Sequence, residues 1–123
     1  MSKTVANGIT NFMRFGPCTK LLKNGEEYLD DLVLNISKIK TITPKKVKVT
    51  NMWQGEYRHR DVEGALIETI SGERFQFPPT NIRINNLRTL TRRLYLNHFF
   101  TDLVESVQMA NKNGFADISG WYC

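Results

Sequence analysis

Apolar residues recur with a period near two through the first two-thirds of the chain and near three and a half after residue 80. Leu32, Leu34 and Ile36 alternate with Val33, Asn35 and Ser37, and Ile39 and Ile42 continue at a changed parity that marks a bulge or turn. Pro44 either ends that strand or forces it to an edge, because it has no N–H to give a ladder. From Lys46 to Thr50 the alternation predicts Val47 and Val49 on one face, with Lys46, Lys48 and Thr50 on a wet one. Val62 to Ile70 is apolar at both parities, the mark of a central strand covered on both sides. Ser71-Gly72 then supplies a tight turn into Glu73 to Phe77, with Phe75 and Phe77 on one face and Arg74 and Gln76 on the other, stopped by Pro78-Pro79.

Beyond residue 80, Leu87, Leu90 and Leu94 make one helical stripe, and Leu96, Phe99, Phe100, Leu103 and Val107 make a second on nearly the opposite side. One straight helix cannot bury both against one sheet. A break is therefore predicted around Tyr95 to Thr101, with Asn97 or Thr101-Asp102 capping the second helix and Asn113-Gly114 closing it. The tail, FADISGWYC, either tucks back on the core or presents Trp121 and Tyr122 as a contact. The expected fold is α+β in a single domain, 1–123: a twisted, mainly antiparallel sheet of about five strands, in its curled form a small SH3-like barrel, followed by two C-terminal helices. The β-rich part spans about 20–80, the helical part about 85–112 and the tail 113–123.

At 123 residues, 41% hydrophobic and 24% charged, the chain has the makings of one core without disulfide or metal support. Cys18 and Cys123 have no CxxC spacing and are expected as free thiols in a reducing, cytoplasmic compartment of a cell or an infected host cell. Neither a signal-peptide core nor an apolar run of membrane-spanning length is visible, so no membrane partner is expected.

Charge is what points to a partner. The net charge is +5, and between Lys38 and Arg60 seven cationic residues (Lys38, Lys40, Lys45, Lys46, Lys48, Arg58, Arg60) stand against one acid, Glu56, about +6 in that window alone. Lys45, Lys46 and Lys48 suit phosphates, while Arg58 and Arg60 suit two-pronged contacts to phosphate or a guanine edge. Trp53 and Tyr57 flank Gln54-Gly55-Glu56, where a loop would offer their rings to unpaired bases. Arg88, Arg92 and Arg93 add a second cationic cluster, with Arg88 and Arg92 on one helical face. These ten residues form the candidate nucleic-acid-binding set. The competing explanation makes them solvated faces, with Trp53 and Tyr57 covering the edge of the core.

Catalytic signals are weak. His59-Arg60-Asp61 matches a kinase tripeptide in a chain far too short for that fold. Two histidines and two distant cysteines make no metal site, Cys18 has no spacing that pairs it with a histidine base, and Glu26, Glu27, Asp30 and Asp31 read as a solvated acidic turn, the alternative being carboxylate chemistry or a divalent-ion site. No enzyme activity, cofactor or metal is expected.

The succession LKNGEEY, LVLNISKIKTI, ALIETISGERFQFPPTNI and a leucine-spaced segment resembles two families of short β-rich proteins, over about residues 20–94. One is the small FlbD-like group of flagellar operons, with similar phage proteins; the other is the LytTR type of DNA-binding domain. The first resemblance implies a small accessory or phage-encoded protein, and the second implies DNA binding, although no base-reading residue carries over. Met52 to Asp61 is longer than either pattern, and the C-terminal helical part extends beyond it. Together these features predict a basic regulatory or accessory protein that binds DNA or RNA, the alternative being an interaction or structural module for an acidic protein surface. The sequence does not fix an oligomeric state.

Overall fold

A computed structural model describes residues 11–53, 55–80, 83–84 and 99–119, with the side chains at 49–53, 57, 58, 60, 83 and 84 outside that description. The elements run β1 (Phe12–Leu22), β2 (Gly25–Asn35), a 3-10 turn (Ile36–Lys38), β3 (Ile39–Trp53), β4 (Glu56–Thr69), β5 (Arg74–Phe77), β6 (Arg83–Ile84), α1 (Phe99–Asn113) and β7 (Phe115–Asp117). They form one sheet in the order β2-β1-β5-β4-β3-β6, with β7 on β1. The pairing is antiparallel except for the short parallel β3–β6 and β1–β7 contacts. A mostly antiparallel sheet with a packed helix is an α+β arrangement. The strands number seven rather than about five, and among the described residues the ladder is an open path.

The sheet begins earlier than the period of two indicates. β1 runs through Gly16-Pro17 and bulges twice, between Arg14 and Gly16 and again before Cys18. The bulges carry burial from Met13 and Phe15 to Cys18, which alternation alone does not allow. Gly16 has φ of 80°, and a Cβ there would lie 2.8 Å from the Ser119 Cα, so glycine lets the C-terminal segment lie against the strand. β2 pairs along one edge of β1 from a Leu22–Gly25 closing pair, so the acidic residues Glu26, Glu27, Asp30 and Asp31 stand on a strand and not in a turn. On the other edge β5 pairs with Thr19–Leu21 and β7 with Phe12–Arg14, each short strand occupying what the other leaves open.

β4 lies between β5 and β3, the central position its two-sided apolar pattern predicts. Ala65, Ile67 and Thr69 are buried at one parity and Val62 and Gly64 at the other. Ile70 belongs to the turn instead and is 62% exposed. There Gly72 takes φ of 92°, and the Glu73 backbone N–H donates to Thr69 Oγ1 at 3.1 Å. Phe75 and Phe77 are buried as expected, but so is Gln76, whose Nε2 donates to Thr80 Oγ1 at 2.7 Å. Thr80 Oγ1 in turn donates to Glu26 Oε2, and the Thr80 N–H donates to Thr19 Oγ1, both at 2.9 Å. These bonds satisfy an amide that would otherwise be costly to bury. β3 continues through Pro44, which pairs opposite Ala65 where β3 has a described neighbour on one side only, so the edge alternative holds.

α1 buries Phe99, Leu103 and Ala110 in one cluster with Phe15, Phe77, Ile67 and Met13. Phe15 and Phe77 rings lie 5.1 Å apart. Thr101-Asp102 lies within the helix and not at its cap, since the sheet-facing residue Phe99 already sits in its first turn. The first leucine stripe and Asn97 lie outside the described residues. Gly114 closes the helix with φ of 95°, its N–H donating to the Ala110 carbonyl at 2.8 Å. Ile118 is then buried and Ala116 packs against the core, while Phe115 stays exposed; Trp121 and Tyr122 lie outside the described residues.

Past β5 the chain crosses the ribbon at Gly64, where a Cβ would collide with the Phe77 carbonyl oxygen, Val47 Cγ2 and Pro78 Cδ. Gly64→Ala is therefore expected to cost about 1–3 kcal/mol by overpacking. A lower urea midpoint at unchanged m-value checks it, and a midpoint equal to wild type contradicts the packing.

Candidate nucleic-acid interface

Most of the candidate set falls on β3 and β4. Register continues without interruption from Lys45–Gly64 to Trp53–Glu56, leaving Gln54-Gly55 as a two-residue return in which Gly55 has φ of 80°. Trp53 to Arg60 is thus the tip and return strand of a long hairpin, not the loop inferred from sequence. β5 last pairs β4 at Ala65, and from there the ribbon extends through nine residue pairs, roughly 25–30 Å at strand rise. β6 meets its β3 side only at Thr50 and Asn51.

Alternation sorts the ribbon positions into two rows. One row holds Lys46 opposite Glu63, Lys48 opposite Asp61, Thr50 opposite His59 and Met52 opposite Tyr57. The other holds Lys45 opposite Gly64, Val47 opposite Val62, Val49 opposite Arg60, Asn51 opposite Arg58 and Trp53 opposite Glu56. Lys46 and Lys48 are exposed and Val47 is 3% exposed, in line with the predicted wet face. That face is not a basic one, however. Each of its lysines has an acid directly across the ladder, an arrangement worth a few tenths to about 1 kcal/mol per pair and close to neutral in net charge. Asp61 and Glu63 are the residues that sequence reasoning missed. They stand just past the basic window, and folding the chain back at Gln54-Gly55 would have found them.

The same sorting parts the arginines from two of the lysines and separates the aromatics. Lys45, half-buried, shares its row with Arg58, Arg60 and Trp53, while Tyr57 falls in the row of Lys46 and Lys48. Arg88, Arg92 and Arg93 lie outside the described residues.

Elsewhere the chemistry is structural. Arg14 ties three strands together, meeting Asp31 at 3.1 Å and Asp117 at 3.7 Å. Its guanidinium is held protonated beyond the ordinary range, first by the hydrogen bond to Asp31. Asp117 is held below the usual carboxylate range chiefly by hydrogen bonds from the Ser119 side chain and backbone. Among the described residues no three His, Cys, Asp or Glu side chains are grouped to hold a metal ion, and no helix is long and apolar enough to cross a membrane. A cavity of about 330 Å³ between α1 and the 3-10 turn has a mixed, uncharged wall, in which Ile36 and Val107 stand among Asn11, Asn35, Gln108 and Asn111. No protein-family model, curated protein or solved structure matches this chain.

Cys18 is a free, fully buried thiol, pushed from 9.0 up to about 12 by burial and then by the charge of Asp31. The thiol is protonated at neutral pH, when the nucleophile would be the thiolate. In a Cys123→Ser background it should resist a thiol reagent at pH 8 until the protein is unfolded. Because the folded pKa is the raised one, the unfolded thiol ionises first, and stability should fall as pH rises from about 9 to about 12. Cys18→Ala should flatten that decline; an equal decline in both proteins would assign it to other groups.

Proposed function

We propose that this chain binds nucleic acid through the β3–β4 ribbon, as a small regulatory or accessory protein of the cytoplasm. The observation that carries the proposal is the ribbon's reach, nine pairs beyond the last β4–β5 contact, with Lys45, Arg58, Arg60 and Trp53 positioned in one row. A two-stranded ribbon has the width that the major groove of duplex DNA admits, and its backbone contacts need no base-specific residue. The row of Lys46 and Lys48 contributes less, since Glu63 and Asp61 already oppose those charges and would repel phosphate. Trp53 at the tip supplies a ring for an unpaired base.

A gel-shift series with duplex DNA, single-stranded DNA and RNA at two salt concentrations tests this reading. Affinity should fall steeply with salt, with a slope of about 0.9 per phosphate neutralised on duplex DNA. Lys45→Glu/Lys46→Glu should weaken binding to all three, and Trp53→Ala should weaken single strands more than duplex. Asp61→Asn/Glu63→Gln should tighten binding and steepen the salt slope, because it frees Lys46 and Lys48 for phosphate. No binding at low salt, or a protein complex that survives nuclease while nucleic acid does not bind, replaces this reading with that of a protein-interaction module.

A further inference from the structure

The sheet ends in two strands of opposite charge. β2, at one end of the path, is eleven residues long and contains Glu26, Glu27, Asp30 and Asp31 with no Lys or Arg. Ile39 to Val49 of β3, the stretch on the other side that β6 does not reach, is also eleven residues long and contains Lys40, Lys45, Lys46 and Lys48 with no acid. Among the described residues neither stretch has a strand on its outer side. Each therefore presents a row of backbone donors and acceptors roughly 36 Å long.

We infer that β2 of one copy pairs with β3 of a second copy, so that the sheet continues from molecule to molecule. Unpaired edges are ordinarily blunted with charge, and here the charge selects among pairings instead of forbidding all of them. Pairing β2 with β2 sets four carboxylates against four, and pairing β3 with β3 sets four lysines against four and adds two prolines. Pairing β2 with β3 sets acids against lysines. One register places the doublet Asp30-Asp31 opposite the doublet Lys45-Lys46, in either strand polarity. Tyr28 and Val33, 58% and 51% exposed on β2, add apolar surface that this pairing covers. Two of the acids are already engaged, Glu26 by Thr80 and Asp31 by Arg14, while Glu27 and Asp30 are exposed. The two edges lie at opposite ends of one sheet, so the contact is head-to-tail and its growth continues past a dimer.

The test is sedimentation of nuclease-treated protein at low and high salt, using wild type, Lys45→Glu/Lys46→Glu on β3 and Glu27→Lys/Asp30→Lys on β2, with folding of each checked by circular dichroism. Wild type should rise with concentration to at least about twice the monomer mass and fall back near ~1 M salt, where the screening length is ~3 Å. Each folded variant alone should stay monomeric, because its altered stretch, now two Lys and two acids, carries no net charge to attract its other edge. An equimolar mixture of the two should regain the higher mass, because the unaltered β2 of the β3 variant then meets the unaltered β3 of the β2 variant. A wild type that stays monomeric at low salt overturns the inference, as does a variant that assembles alone or a mixture of folded variants that does not assemble. The readout is mass in the absence of nucleic acid, so it succeeds or fails independently of the binding proposal.

Discussion

Everything distinctive about this molecule depends on the register of β3 against β4. A two-residue return at Gln54-Gly55 makes Trp53–Glu56 the closing pair, and from there to Lys45–Gly64 each pairing follows without a shift. Strand side chains repeat with a period of two, so a slip of one residue would exchange the two faces for every position on one strand. Val47 and Val62 would lose each other as buried partners, and Lys46 and Lys48 would lose Glu63 and Asp61. Gly64 guards the register from the other side. It admits the Phe77 carbonyl and Pro78 against the ribbon, a contact that no side chain larger than hydrogen allows. The hairpin tip and the Gly64 crossing thus fix the same alignment from two ends.

The parts of the fold legible in the sequence were those with uninterrupted alternation and glycine at the turn. The β4–β5 hairpin, the wet face of Lys46 and Lys48, the helix carrying Phe99 and Leu103, and its stop at Gly114 all follow from period and turn chemistry alone. β1 did not, because its two bulges break the alternation and place Gly16-Pro17 inside a strand. Its glycine serves a distant residue, Ser119, and a local pattern carries no trace of such a contact. Gln76 was misplaced for a related reason. Its burial depends on Thr80, which lies beyond the prolines that appeared to end the hairpin.

Charge was legible only in part. Counting along the chain from Lys38 to Arg60 makes a strongly basic window, but a hairpin is not read along the chain. Its electrostatics are those of residues facing each other across the ladder, and the return strand brings Asp61 and Glu63 to the lysines. A window count overstates the field of any ribbon whose second strand has the opposite sign. By register alone, Lys45, Arg58 and Arg60 fall in the other row, together with Val47 and Val62.

The two uses of the ribbon are linked through the same lysines. If Lys45 and Lys46 face the β2 acids of a neighbouring copy, they are unavailable to phosphate, and the neighbour's carboxylates add repulsion where the nucleic acid would lie. Any ligand that binds only the free edge shifts the assembly equilibrium toward single molecules, and assembly lowers apparent affinity for that ligand by the same factor. Arg58 and Arg60 stand on the return strand and do not take part in the edge pairing, so nucleic acid held by them alone would escape this competition. How far binding and assembly oppose each other therefore measures how the contact is divided between the β3 lysines and the β4 arginines.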